Sequence, residues 1–166
     1  EENDKFSEKQ ILCLGITGEI SSWLSGARSI SFFDLKGIVE TLLSQLGAQG
    51  ASFKYLKDDT FSPSACAVIE IGSEEVGIIG RVARLILNNF DIKEDVYTCE
   101  ICIDPLIKYI NLGKRFVGLA KYPSVLRDIS IVVDKNIANA ELTSTMRLQA
   151  SSILKGIDLI DRYEGK

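Results

Sequence analysis

Between Ser31 and Gly47, the stretch SFFDLKGIVETLLSQLG places Leu35, Ile38, Val39, Leu42, Leu43 and Leu46 three and four residues apart, which lines them along one stripe of a helix. Ser31 and Asp34 stand where a capping box would open that helix, and Gly47 stands where it would close. Gly37, early in the helix, costs up to about 1 kcal/mol relative to alanine, which predicts that another backbone crosses closely there. Around this helix the pattern shortens. ILCLGIT, from Ile11, predicts a buried strand; ASFKYLK, ACAVIEIG, VGIIGRV and DVYTCEICID predict four more, with GSEE as a polar turn. VARLILNNF gathers its apolar residues on one helical side and predicts a helix before the last strand. The short gap between ACAVIEIG and VGIIGRV implies a hairpin with antiparallel pairing, so residues 1–106 predict an α+β body.

A second pattern follows the helix-like PLIKYI. The stretch INLGKRFVGLAKYP, residues 110–123, turns to glycine, basic residues and Pro123, the composition of a boundary; it separates a first domain, 1–113, from a second, 114–166. The second domain predicts a strand at 127–134, a helix from about 139 to 151 with Leu142 and Met146 inward, and a strand at 157–163. This is one β-α-β unit. A ferredoxin-like β-α-β-β-α-β domain takes about twice that length, so the expectation is a fragment, or a chain that has lost its tail. No internal repeat occurs.

Composition adds little until charge is divided along the chain. With 46% hydrophobic and 25% charged residues the protein has ordinary globular proportions. Residues 1–106 carry 9 basic and 17 acidic side chains, and residues 107–166 carry 10 and 6, so −8 gives way to +4. The two ends therefore suit different partners, the basic one nucleic acid. No apolar run approaches the roughly 20 residues of a membrane helix, and the acidic opening EENDKFSEKQ lacks the basic start of a signal peptide. A cytoplasmic location and no membrane partner are expected.

The chemistry the sequence lacks is informative. With no histidine, Ser-His-Asp and Cys-His nucleophile systems are excluded, as is the commonest general base near neutral pH. Cys99 and Cys102 form a CxxC, but on a strand residues three apart face opposite ways; Cys13, Cys66, Cys99 and Cys102 are expected to be reduced, mostly buried thiols rather than metal ligands. Asp58-Asp59 and Glu74-Glu75 fall in polar turns. Asp158, Asp161 and Glu164 do not share a strand face. GITG and GIIG lack the lysine of a phosphate loop and the third glycine of a dinucleotide fingerprint. Only Arg28, Arg81 and Arg84 precede the boundary, with no pattern to aim them together at a triphosphate, so no catalytic residue, metal or cofactor is expected in this chain.

The remaining candidate is KYPSVLRDISIVVD, residues 121–134. Pro123 fixes its own φ and biases Tyr122 toward an extended shape, holding Lys121 and Tyr122 ahead of the strand. A cation beside an exposed aromatic can grip a phosphate while the ring stacks on a splayed base. The alternative is that Pro123 merely enters the strand, Tyr122 packs on the core, and Arg127 pairs with Asp128 or a carbonyl.

FFDLKG at 32–37 followed by VETLL, and KYPSVLRDISIVV followed about 25 residues later by GIDLIDRYEGK, resemble the C-terminal part of the bacterial phenylalanyl-tRNA synthetase β-subunit family. VGIIGRV and VYTCEICIDPL keep that family's order and spacing between them. The resemblance implies a class II synthetase-like antiparallel sheet with flanking helices, without the active-site arginines, that scaffolds an α subunit through structural or interface residues Phe32, Phe33, Asp34, Lys36 and Gly37. It implies a partial ferredoxin-like anticodon-binding domain thereafter, with Lys121, Tyr122 and Arg127 toward tRNA(Phe). It further implies an (αβ)2 heterotetramer in which α handles ATP, phenylalanine and Mg2+ to form Phe-tRNA, while this chain holds no active site. Two departures stand out: Leu126 occupies the place of a second arginine, and SPSA at 62–65 replaces His-Pro-Gly-Arg, so that loop's usual contacts are absent or made differently. A free-standing, non-enzymatic protein-interaction module is the competing reading. An enzyme in its own right is a third.

Overall fold

The computed structural model describes residues 8–24, 26–113, 121–150 and 153–163. The opening acidic residues 1–7, the linker residues 114–120, Ser151 at the expected helix end and the closing EGK lie outside the described residues. The chain divides into two units, Glu1–Val117 and Gly118–Lys166.

The first unit is built on an antiparallel sheet in the order β1-β7-β6-β5-β4. Its strands are β1 (Ile11–Thr17), β4 (Ala51–Tyr55), β5 (Phe61–Ile71), β6 (Glu74–Val82) and β7 (Val96–Cys102). The expected hairpin is β5–β6, closing at Ile71 opposite Glu74. Register places Leu14, Cys99, Ile79 and Ala67 in one row across four strands. Such a row lies on a single face of the sheet because side chains alternate. Against it packs α1 (Phe32–Gln45), whose Leu35 and Val39 are fully buried and whose Leu43 is nearly so. Ile69, Ile71, Val76, Ile101 and Leu106 complete the same core, each worth roughly 1.5–3 kcal/mol on burial. α2 (Arg84–Asn89) and α3 (Ile103–Ile107) flank β7 in sequence, as the apolar pattern indicates.

Two glycines mark close approaches. Gly47 ends α1 at φ +72°, and a Cβ there would strike the backbone of Asn111, whose N–H caps the Leu46 carbonyl at 2.9 Å. A Cβ at Gly77 would meet the Glu100 carbonyl of the neighbouring strand. Gly37 differs from expectation: no other part of the chain lies within 4 Å of its Cβ position, so no described backbone crosses there.

Three further expectations are corrected. ILCLGIT is a strand, but β1 is at the sheet edge with a single neighbour, and Ile11, Leu12 and Cys13 are exposed. Of the thiols, Cys66 and Cys99 are buried, Cys102 is half-buried and Cys13 is open; burial pushes the Cys99 thiol up to about 12. Glu74 and Glu75 belong to β6 rather than to a turn, and Glu74 ties that strand to α3 through Lys108, at 2.6 Å. A two-stranded hairpin, β2 (Glu19–Ser22) with β3 (Gly26–Ser29), was not expected; its signal is a short polar alternation between Gly18 and Gly26, both at positive φ.

In the second unit α4 (Asn139–Gln149) forms as expected, with Leu142 and Met146 on its less exposed side. Residues 127–134 and 157–163 are not paired into a sheet. In a split β-α-β unit the two strands are not each other's neighbours, and each depends on a third strand between them. None is present among the described residues, so Ile129, Val132 and Ile160 keep their alternation without burial.

Truncating Leu35 to alanine opens a cavity at the helix–sheet seam. The expected cost is about 2–5 kcal/mol, read as a lower urea midpoint with an unchanged slope.

Candidate functional site

The N-terminal turn of α1 gathers most of the FFDLKG residues into one charged and apolar surface. Arg28, on β3, forms two parallel hydrogen bonds with the Asp34 carboxylate, at 2.8 and 2.6 Å. The Ser31 N–H and hydroxyl donate to the same carboxylate at 2.8 and 2.7 Å. Asp34 thus caps the helix and fastens the β2–β3 hairpin to it. These donors, Arg28 foremost and Ser31 next, hold its carboxyl far below the usual range.

The two phenylalanines divide the work. Phe32 packs at the core margin. Phe33, edge-on to it with ring centroids 5.8 Å apart, is 76% exposed. With Gly37, Ile38 and Thr41 it borders a shallow groove on the outer side of α1. Lys36 lies over the Phe53 ring at 4.6 Å and pairs with Glu40. At the tip of the β2–β3 hairpin Trp23, 95% exposed, and Leu24 are also open to solvent. The sequence reading missed both tip residues, because nothing in the pattern marked them as unburied.

In the second unit the lead-in is open to solvent. Tyr122 is 75% exposed, with Lys121 Nζ 5.9 Å from its ring centroid. Tyr122 does not pack on a core, and Arg127 donates to the neighbouring Leu126 carbonyl at 3.4 Å.

A third grouping was not foreseen. Arg81 and Arg84, which no sequence pattern aims together, both reach Asp95, and Ser62 of the SPSA loop accepts from Arg81 at 2.8 Å. In this stretch, which belongs to β5, the contacts with Arg81 are made by serine hydroxyls. Among the described residues no group of three or more cysteine or carboxylate side chains could hold a metal ion.

A five-stranded antiparallel sheet packed on helices, followed by a second unit, defines the class as α+β. The family model for the phenylalanyl-tRNA synthetase beta chain CLM domain matches residues 1–103, and that for the ferredoxin-fold anticodon binding domain matches residues 120–166. The chain belongs to the phenylalanyl-tRNA synthetase beta chain family. It is similar to the phenylalanine–tRNA ligase beta subunit of Clostridium acetobutylicum, 32% identical over 96% of this chain and 19% of that protein. It is likewise similar to the beta subunit of Dehalococcoides mccartyi strain CBDB1, 35% identical over 99% of this chain and 20% of that one. The chain spans about a fifth of the length of these curated relatives.

Asp34 has a depressed folded-state pKa, so its contribution to stability is complete above the ordinary value of 3.8 and fades as pH falls below it. The Asp34→Asn variant is expected to be less stable than the parent at pH 6, with the gap closing as pH is lowered through 3.8, in urea midpoints measured across pH.

Proposed function

We propose that this chain serves as the C-terminal part of a phenylalanine–tRNA ligase β subunit, with residues 1–113 as a non-catalytic scaffold for the α subunit and residues 114–166 contributing to tRNA(Phe) docking. In this reading the assembly is a cytoplasmic (αβ)2 heterotetramer. ATP, phenylalanine and Mg2+ are handled by α, and aminoacylation of tRNA takes place there. The observation that carries the reading is the match of both units, in order, to domains of one β-chain family.

Physical features support each half. The outer face of α1 exposes Phe33 and Ile38 beside a shallow groove, and large exposed apolar side chains on one face mark contact sites. Asp34 and Gly37 sit within that face, Phe32 braces it from the core margin, and Lys36 lies to its side over Phe53. In the second unit Lys121, Tyr122 and Arg127 offer charge and stacking on a segment with a net positive balance. The absence of histidine removes a general base from the chain without affecting either role.

Titrating tRNA(Phe) at two salt concentrations tests the docking half. Binding should weaken steeply with salt, and Lys121→Ala should lower the logarithmic slope by about one phosphate contact, roughly 0.7–0.9. Tyr122→Ala should cost about 1–3 kcal/mol at both salts. Unchanged affinity in both variants would sink the site. For the scaffold half, co-purification with the α subunit should fall sharply in a Phe33→Asp variant that keeps the parental circular dichroism; capture at the parental level would refute the α1 face as the contact.

A further inference from the structure

Where β5 begins, the ladder to β6 is interrupted. Phe61 pairs with Val82, and pairing resumes only at Cys66 with Gly80. Four residues, 62–65, therefore stand opposite the single residue Arg81. Pro63 has no N–H to offer a ladder, and bulges of this kind re-aim side chains. Here the bulge turns two hydroxyls onto one guanidinium. Arg81 Nη2 donates to Ser62 Oγ at 2.8 Å and lies 3.5 Å from Ser64 Oγ.

The same guanidinium reaches Asp95 Oδ2 through Nη1 at 3.3 Å. Arg84 takes the other oxygen, Oδ1, and gives Nη1 to the Lys93 carbonyl at 2.8 Å. Two guanidiniums thus share one carboxylate, leaving a net charge of +1. The Arg28–Asp34 pair in this unit looks different: the two meet one to one, with both oxygens on both terminal nitrogens. The split pair instead borders a recess of about 510 Å3, lined by Ser62, Pro63, Arg81, Arg84 and Asp95 among others, in which Asp95 is the one acidic lining residue. Arg81, Arg84 and Asp95 remain 34%, 48% and 39% exposed, so an ion from solvent can reach them.

We infer that this recess is an anion site that takes a phosphate group, held by the forks of Arg81 and Arg84 and by the Ser62 hydroxyl as donor, with Ser64 Oγ 3.3 Å from Ser62 Oγ to support it. A guanidinium fork matches phosphate oxygens as well as it matches a carboxylate. The phosphate comes from a small phosphate ester or from a nucleic-acid backbone, which present the same oxygens. Asp95 is its internal competitor, and that gives the site a signature that a structural ion pair lacks. The inference is independent of the RNA reading of the second unit.

Inorganic phosphate, titrated into the chain with backbone amide signals as readout, should perturb residues 62, 64, 81–84 and 95 saturably. Ser62→Ala with Ser64→Ala, which leaves both arginines on Asp95, should weaken binding about three- to tenfold. Arg84→Gln should weaken it about tenfold or more. Asp95→Asn should tighten it severalfold, because one opposing charge is removed. AMP competing with phosphate would identify a terminal phosphate as the ligand, and a 5′-hydroxyl oligonucleotide competing would identify backbone diesters; either supports the site. No saturation by phosphate, or an Asp95→Asn variant that folds by amide dispersion and binds no tighter, would overturn it.

Discussion

The first unit depends on one contact: the stripe Leu35, Val39 and Leu43 of α1 pressed onto one face of the five-stranded sheet. The sheet alone has two faces and two open edges, and no strand of it is stable without burial of an apolar face. Covering one face with α1, and with Leu106 of α3, places Ile69, Ile79, Cys99 and Ile101 in a dry interior. The Gly47 turn and the Asn111 cap fix where the helix must end. The outer side of α1 is then committed to solvent or to a partner.

That commitment gives α1 two characters. Its inner stripe is aliphatic and fully covered, while Phe33 and Ile38 stand outside, next to a hairpin held by Arg28 and Asp34. A hairpin of two four-residue strands is marginal by itself, so the bidentate pair and the Ile30 N–H to the Gly18 carbonyl, at 3.0 Å, determine where Trp23 and Leu24 are presented. The electrostatic contact that caps the helix is also the one that shapes the surface beside it. Charge within the unit is used in two ways: matched one to one at Asp34, and shared unequally at Asp95.

The second unit shows what the same rules do where no partner strand lies among the described residues. α4 forms because helical hydrogen bonds are local, satisfied within each turn. The flanking apolar alternations at 127–134 and 157–163 find no ladder, because a strand's donors and acceptors are met only by another strand. Their side chains stay open, and so does Tyr122 ahead of them.

Periodicity in the sequence was enough to locate α1, α2, α4 and the five sheet strands, since spacing of 3.6 or 2 records which faces must be buried. The antiparallel β5–β6 hairpin, the opposite facing of Cys99 and Cys102, and the absence of histidine chemistry were equally legible. The family's FFDLKG and KYP…RD stretches could be read directly, but not the exposure of Phe33 and Trp23. Strand order, the edge position of β1, the open space at Gly37, and the meeting of Arg81 and Arg84 on Asp95 came from the tertiary structure alone. These are matters of residues distant in sequence becoming neighbours, and a one-dimensional pattern records how much a residue must be covered, not by what.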